Sequence, residues 1–238
     1  MSVMQTELTA DAVTYHASLA ADWEQRYRKR SFQMRHTILL KCLEGRNVAG
    51  GVWLDAGCGT GTLSRCLAAR GCRVLGVDAT PEMVAAAIHL AESQGYSDQL
   101  KFARVGTIAN FAVDDSSLDG VLCSSVLEYV PDPSACLTEF ARVLKPGGLL
   151  LVSVPNRYSV VRSTQLACHR VGTLLGRGWF KFLDYSRQQY SQREFEGILV
   201  RAGFSLEKSL PFGSPLPGLA QRSRHWASLL MFVAHKSV

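Results

Sequence analysis

The chain has 238 residues, of which 47% are hydrophobic and 19% charged, so it is long enough to bury one substantial core. This balance excludes disordered, collagen-like and coiled-coil architectures, and no run of 18 apolar residues offers a spanning helix. The formal charge of +6 is unevenly spread: residues 1–155 carry 14 Lys+Arg against 16 Asp+Glu, a net of −2, and residues 156–238 carry 12 against 4, a net of +8. The second part suits an anionic substrate, a membrane surface or nucleic acid, or is simply a solvated basic surface. Seven cysteines without C-x-x-C or C-x-x-H spacing argue against a disulfide framework or structural zinc and for a reducing cytosol. The stretch MSVMQTELTADAV lacks the basic-then-apolar pattern of a signal peptide, so a cytoplasmic location is expected, with membrane association left open.

In chain order, residues 12–44 read as helical, with apolar positions at Val13, Leu19, Trp23, Tyr27, Met34, Ile38 and Leu39. Val52 to Asp55 is a short strand ending in a Gly-rich turn. Thr62 to Arg70 is a helix and Arg73 to Val77 a buried strand. Pro81 to Gln94 is a helix with Thr80 at its N-cap and Pro81 at its first position. Lys101 to Val105 and Gly120 to Cys123 are further strands. A helix from Pro133 to Leu144 is stopped by Lys145-Pro146-Gly147-Gly148, before the strand Leu149 to Val154. After Asn156 the alternation lapses for about 35 residues. A helix over Gln192 to Ala202 follows, then strands over Phe204 to Leu210 and Trp226 to Ala234, joined by a hairpin-type return. Strands that are apolar throughout and separated by helices predict a parallel sheet covered on both faces, in a single α/β domain.

The sharpest motif is Leu54-Asp55-Ala56-Gly57-Cys58-Gly59-Thr60-Gly61, between a strand and a helix. Glycines there let the backbone turn tightly and approach a ligand where a side chain would collide. Alone, such a loop could be a plain strand–helix turn. Two acids change its meaning: Asp55 lies at the strand's carboxyl end, and Asp78 ends the next strand 23 residues later, where a carboxylate can hold ribose hydroxyls. A Walker loop's Gly-Lys-Ser/Thr is absent, and Ser64 stands where a dinucleotide fingerprint needs its third glycine. An acid before the glycines suits a cationic ligand better than pyrophosphate.

At these residues the sequence resembles the class I methyltransferases that use S-adenosylmethionine. The first motif and Asp78 match, followed in order by Leu118-Asp119-Gly120-Val121-Leu122-Cys123, Leu127-Glu128-Tyr129-Val130-Pro131-Asp132-Pro133, Leu144-Lys145-Pro146-Gly147-Gly148 and Ala202-Gly203-Phe204. The resemblance is strongest to the small-molecule O-methyltransferases of ubiquinone biosynthesis. It implies a Rossmann-like, seven-stranded, mostly parallel sheet with the last strand antiparallel and helices on both faces. An N-terminal helical cap (12–44), a cofactor-binding core (50–155), a helical lid insertion (157–190) and a C-terminal helix and strands (191–238) complete the single domain. It also implies S-adenosylmethionine as methyl donor, S-adenosylhomocysteine as product and a small-molecule acceptor.

The resemblance carries Asp55, Gly57, Cys58, Gly59, Gly61, Asp78, Ala79, Met83, Ile108, Cys123 and Ser124 over as cofactor-binding residues. Arg35 matches the cap arginine that pairs with the cofactor's carboxylate in two bonds. Thr107 stands where relatives often place an acid for the adenine amino group. Candidates at the acceptor are Glu128, Tyr129 and, in the insertion, His169; His16 and His36 near the cap are weaker ones. Tyr129 replaces a histidine common in relatives, and a phenol near pKa 10 is a poorer base than an imidazole near 6.5. No metal is expected, since only Glu128 stands near the acceptor. The insertion Arg157 to Tyr190 holds six Lys/Arg, one acid and several aromatics, which suits an anionic or amphipathic acceptor or an anionic membrane. Cys123-Ser124-Ser125-Val126 replaces the Asn/Asp-Pro-Pro-aromatic of base-modifying enzymes, so nucleic acid is disfavoured. N-methylation, a homodimer and peripheral membrane contact are left open.

Overall fold

The computed structural model describes residues 10–216 and 218–237. Residues 1–9, which carry most of the segment read for a signal peptide, lie outside them.

Seven strands form one sheet: β1 (Val52–Ala56), β2 (Arg73–Asp78), β3 (Leu100–Arg104), β4 (Leu118–Ser124), β5 (Leu144–Pro155), β6 (Phe204–Phe212) and β7 (Leu229–Lys236), in the order β3-β2-β1-β4-β5-β7-β6. Neighbours from β3 to β5 are parallel, and β7 runs antiparallel to both β5 and β6. The expected sheet with one reversed strand is thus present. Central strands are apolar throughout because both faces are covered. On one side lie Leu137, Phe140, Phe195, Phe204 and Phe232, and on the other Leu39, Trp53, Leu67, Met231 and Val233.

The helices between strands start as their sequences predict. α4 (Thr62–Ala68) opens at Gly61, and α5 (Pro81–Ser93) opens with Pro81 behind Thr80, although the Thr80 side chain makes no capping bond. α6 (Pro133–Val143) is capped by Asp132, which accepts from the Ser134 and Ala135 amides. The chain extends on β1's two sides in turn, to β2 and β3 and then to β4 and β5. This places a topological switch at the carboxyl ends of β1 and β4, where open α/β sheets bind ligands.

Three regions refine or differ from the sequence expectation. The N-terminal run is helical in four segments: α1 (Ala10–Ala17), a 3-10 turn at Ala20–Asp22, α2 (Trp23–Tyr27) and α3 (Arg30–Leu43). The breaks bend the cap over the sheet's carboxyl end. Lys145-Pro146-Gly147-Gly148 is not a turn before β5 but a bulge within it: Leu144 pairs with Leu118 and Leu149 with Gly120, leaving four residues outside the register. The last strand starts at Leu229, because a 3-10 turn at Arg224–Trp226 precedes it. Asn156 pins that turn, its Nδ2 donating to the Arg224 and Ala227 carbonyls at 2.8 and 2.9 Å. The insertion holds α7 (Val160–Leu174), capped by Ser159, and a 3-10 turn at Lys181–Asp184. α8 (Gln192–Arg201) begins with a Ser191/Glu194 capping box, and the β6–β7 connection contains α9 (Leu219–Arg222).

Candidate active site

A cavity of about 350 Å³ opens over the switch point. Its floor comes from the carboxyl ends of β1, β2 and β4 through Asp55, Asp78 and Ser124, and its roof from the N-terminal cap and the insertion. The glycine loop is held by backbone bonds: Gly57 and Cys58 both donate to the Val77 carbonyl, at 2.8 and 3.0 Å. Gly57 sits at φ +78°, in the left-handed region that side chains disfavour. A Cβ there would fall well inside contact distance of Val126, so the collision that demands glycine is with the protein's own β4 turn.

Both carboxylate oxygens of Asp78 are fixed by amides, Oδ2 by Gly59 at 2.9 Å and Oδ1 by Thr80 at 2.9 Å. The carboxylate therefore faces the cavity already oriented, with lone pairs left for hydroxyls. Asp55 is 2% exposed and accepts from Ser64 Oγ at 2.6 Å. Burial pushes its pKa up to about 7. A cation bound beside it would bring it back toward the ionised form.

The cap is clamped onto this loop by a residue that no local pattern marks. Glu24 accepts from Thr60 Oγ1 at 2.6 Å, Thr62 Oγ1 at 2.9 Å and Arg65 Nη2 at 3.1 Å. Trp23 beside it would meet any Cβ added to Gly59. Arg35, on α3, donates to Ser125 Oγ at 3.3 Å and lies over the Phe32 ring at 4.7 Å. Ser125 is a non-glycine residue at φ +58°, a strained conformation of the kind found at ligand sites.

At the other end of the cavity, Glu128 is 3% exposed, and its Oε2 has no hydrogen-bond partner among the described residues. Burial raises its pKa to about 7, while Arg162 and Arg35 pull the other way. Burial likewise pushes the Tyr129 phenol above its ordinary value. Arg162, on α7, is buried, donates to Ser186 Oγ and lies over the Phe182 ring at 5.3 Å. Only its place in the basic insertion hinted at it.

The cavity brings together Arg35, Asp55, Gly57, Cys58, Gly59, Asp78, Ala79, Met83, Ile108, Ser124, Glu128 and Tyr129. It does not include Gly61, which faces Phe102, nor Cys123, buried inside β4. Thr107 also lies outside the lining, its Oγ1 accepting from the Ala109 amide at 3.1 Å. His169 lies outside as well. Its Nδ1 meets the Trp179 carbonyl at 2.6 Å and its Nε2 meets Asp184 at 2.7 Å, so it ties the insertion to itself. His16, ranked below His169 in the sequence, lines the cavity beside Tyr129. Among the described residues no group of three or more His, Cys, Asp or Glu side chains is placed to hold a metal ion.

A doubly wound sheet with a glycine loop, a carboxylate on the next strand and a helical cap defines a Rossmann-like nucleotide-binding class. A family model described as "Methyltransferase domain" matches residues 54–152. The ubiquinone biosynthesis O-methyltransferase of Xylella fastidiosa (strain M23) is 31% identical over 189 residues, covering 78% of this chain and 74% of the relative. That of Xanthomonas oryzae pv. oryzae (strain PXO99A) is 37% identical over 142 residues, so this chain spans 58% of that relative's length. Among solved structures, magnesium protoporphyrin IX methyltransferase from Synechocystis PCC 6803 with bound SAH superposes with TM-score 0.69 at 21% identity, covering 95% of this chain and 99% of that one, a likeness of fold. The chain belongs to the class I S-adenosylmethionine-dependent methyltransferases. The residues fit that cofactor: the Asp78 carboxylate is held oriented by two amides, Asp55 is buried where a cation would satisfy it, and Arg35 lines the same cavity.

Proposed function

We propose that this chain transfers a methyl group from S-adenosylmethionine to an oxygen of a small-molecule acceptor. The observation that carries this is Glu128: a buried carboxylate oxygen without a partner, in the same cavity as Asp78 and the glycine loop. Leaving such a group unsatisfied is costly, and an acceptor hydroxyl would donate to it. The relatives, named as ubiquinone biosynthesis O-methyltransferases, support oxygen over nitrogen as the target. The bound cofactor supplies an already activated methyl on a sulfonium, so the protein's work is alignment and removal of a proton. Arg162 adds a buried positive charge and Phe180 and Phe182 apolar surface, which suits an acceptor that is anionic or amphipathic.

Tyr129 acts here as an orienting ring, because burial disfavours its phenolate. Tyr129→Phe should keep most activity, and Tyr129→Ala should lose about 10²-fold through misplacement of the acceptor; equal loss in both would make the hydroxyl chemical. The insertion also exposes Tyr158, Leu174, Leu175 and Trp179 near Arg157, Arg170 and Arg177. This supports peripheral contact with an anionic bilayer of a cytoplasmic enzyme. No helix among the described residues is long and apolar enough to cross a membrane. Incubating the protein with methyl-labelled cofactor and a cell extract tests the main reading. Labelled small molecules carrying new O-methyl groups are expected, and label only on RNA or protein would sink it.

A further inference from the structure

We propose that His16, carried by the N-terminal cap, is the general base that takes the acceptor's proton; the assignment rests on the O-methylation reading above. His16 lines the same cavity as Glu128 and Tyr129. Its ring meets that of Tyr129 nearly at right angles, with centroids 5.1 Å apart, and Trp23 and Tyr15 hold it on other sides at 5.9 and 5.3 Å.

The hydrogen bonds settle the tautomer. His16 Nδ1 lies 2.8 Å from the Ala12 carbonyl, which can only accept, so Nδ1 bears the hydrogen. Nε2 then carries the lone pair, and among the described residues it has no hydrogen-bond partner. His169 offers no such atom, since both its nitrogens are engaged. Burial holds the His16 pKa below the ordinary histidine value; Asp78 opposes this and Arg26 reinforces it. The phenols of Tyr15 and Tyr129 adjoin the ring, and Glu128 precedes Tyr129 on the same turn. The imidazole is therefore neutral at pH 7 and able to accept.

In the step, the acceptor oxygen gains the methyl carbon while the bond from that carbon to the donor's sulfur breaks, its electron pair staying on sulfur. The oxygen's proton passes to His16 Nε2, and the imidazolium keeps its Nδ1–H on Ala12 until water removes the extra proton.

The test compares initial rates of wild type, His16→Asn, His16→Gln and Glu128→Gln between about pH 5 and about pH 8.5, across the range in which histidine titrates. The acceptors are catechol and 4-nitrocatechol, whose hydroxyl is acidic enough to ionise near neutrality unaided. Wild-type kcat/KM should rise with pH along a limb below the ordinary histidine value of about 6.5. His16→Asn, which keeps an N–H for Ala12, should lose that limb and about 10²-fold in rate with catechol. Its loss with 4-nitrocatechol should be about tenfold or less, and its cofactor affinity by calorimetry should be unchanged. Equal losses with both acceptors, or a limb that survives in His16→Asn and disappears in Glu128→Gln, would overturn the assignment. Independently of any acceptor, imidazole ¹⁵N shifts should place the His16 hydrogen on Nδ1; finding it on Nε2 would refute the base. A wild type that binds cofactor yet methylates no oxygen of either phenol or of any small molecule in the cell extract overturns the O-methylation reading and this assignment with it. An active wild type matched by both His16 variants overturns the assignment alone.

Discussion

The two ends of the cavity are built by different means. At the cofactor end the glycine loop and Asp78 are fixed by backbone amides and carbonyls within about 25 residues of sequence. At the acceptor end and in the cap, the contacts join side chains far apart in the chain: Glu24 to Thr60 and Arg65, Arg35 to Ser125, His16 to Tyr129. Backbone ties depend on a few glycines and acids and otherwise tolerate change. Side-chain ties are lost one residue at a time. The first end is therefore the less sensitive to side-chain substitution and the second the more sensitive.

The largest expected effect breaks the loop itself. Gly57→Val puts a branched side chain at φ +78° against Val126, and calorimetry should detect no cofactor binding. Adding Val126→Ala should restore folding before it restores affinity; full wild-type binding by Gly57→Val alone would remove the loop from the site. Next, Asp78→Ala leaves the Gly59 and Thr80 amides without their acceptor and removes the partner proposed for the ribose hydroxyls. Affinity should fall about tenfold or more, in line with ~1–3 kcal/mol for such a loss. A smaller effect belongs to the cap: Glu24→Ala frees three donors at a half-exposed clamp, and cofactor affinity should fall about three- to tenfold, ~0.5–1.5 kcal/mol. If Glu24→Ala matched Asp78→Ala, the distinction between the two ends would collapse.

The smallest effect is on stability. Asp55 and Glu128 are each raised to about 7 by burial, from 3.8 and 4.5, so between roughly pH 4 and pH 7 these two groups hold more protons in the folded protein than in the unfolded chain. Their contribution to the stability of the ligand-free protein is therefore greatest at the acid end of that window and falls as pH rises through it. A loss of ~1 kcal/mol corresponds to about 2–4 °C in Tm for a chain of this size. Asp55→Asn should flatten the fall in scanning calorimetry, and a steeper fall in that variant would contradict the burial cause.

This division also explains what the sequence revealed. Continuous apolar strands, the Gly57 to Gly61 loop and the paired positions of Asp55 and Asp78 are local patterns, and the sheet and the cofactor end were legible from them. The cap was legible as helical, but its breaks near Ser18 and Arg28 were not, because the apolar spacing persists across them and no Gly or Pro marks the turn. The β5 bulge was read as a turn because Gly147 at φ +75° serves either equally. Glu24, Arg162 and His16 are placed in the site by residues 24 to 113 positions away, although the Ala12 carbonyl that sets the His16 tautomer is local. His169 sits on a helix as expected, but its partners Trp179 and Asp184 turn it away from the cavity.

The stitching of the insertion to the β4 turn has a consequence for recombination. The Arg187 amide donates to the Glu128 carbonyl at 2.9 Å, and Gln188 Nε2 reaches the Val130 and Pro131 carbonyls at 3.3 and 3.0 Å. Main-chain carbonyls fix this seam, so its register is set by where the two segments lie and not by which side chains the turn carries. A chimera that exchanges residues 157–190 with a relative's while retaining 127–131 keeps the acceptors, and any residue but proline at 187 keeps the amide donor, but a side-chain donor must be found at 188. Moving both segments together carries the seam intact. The two stretches, distant in the chain, behave as one unit in any exchange.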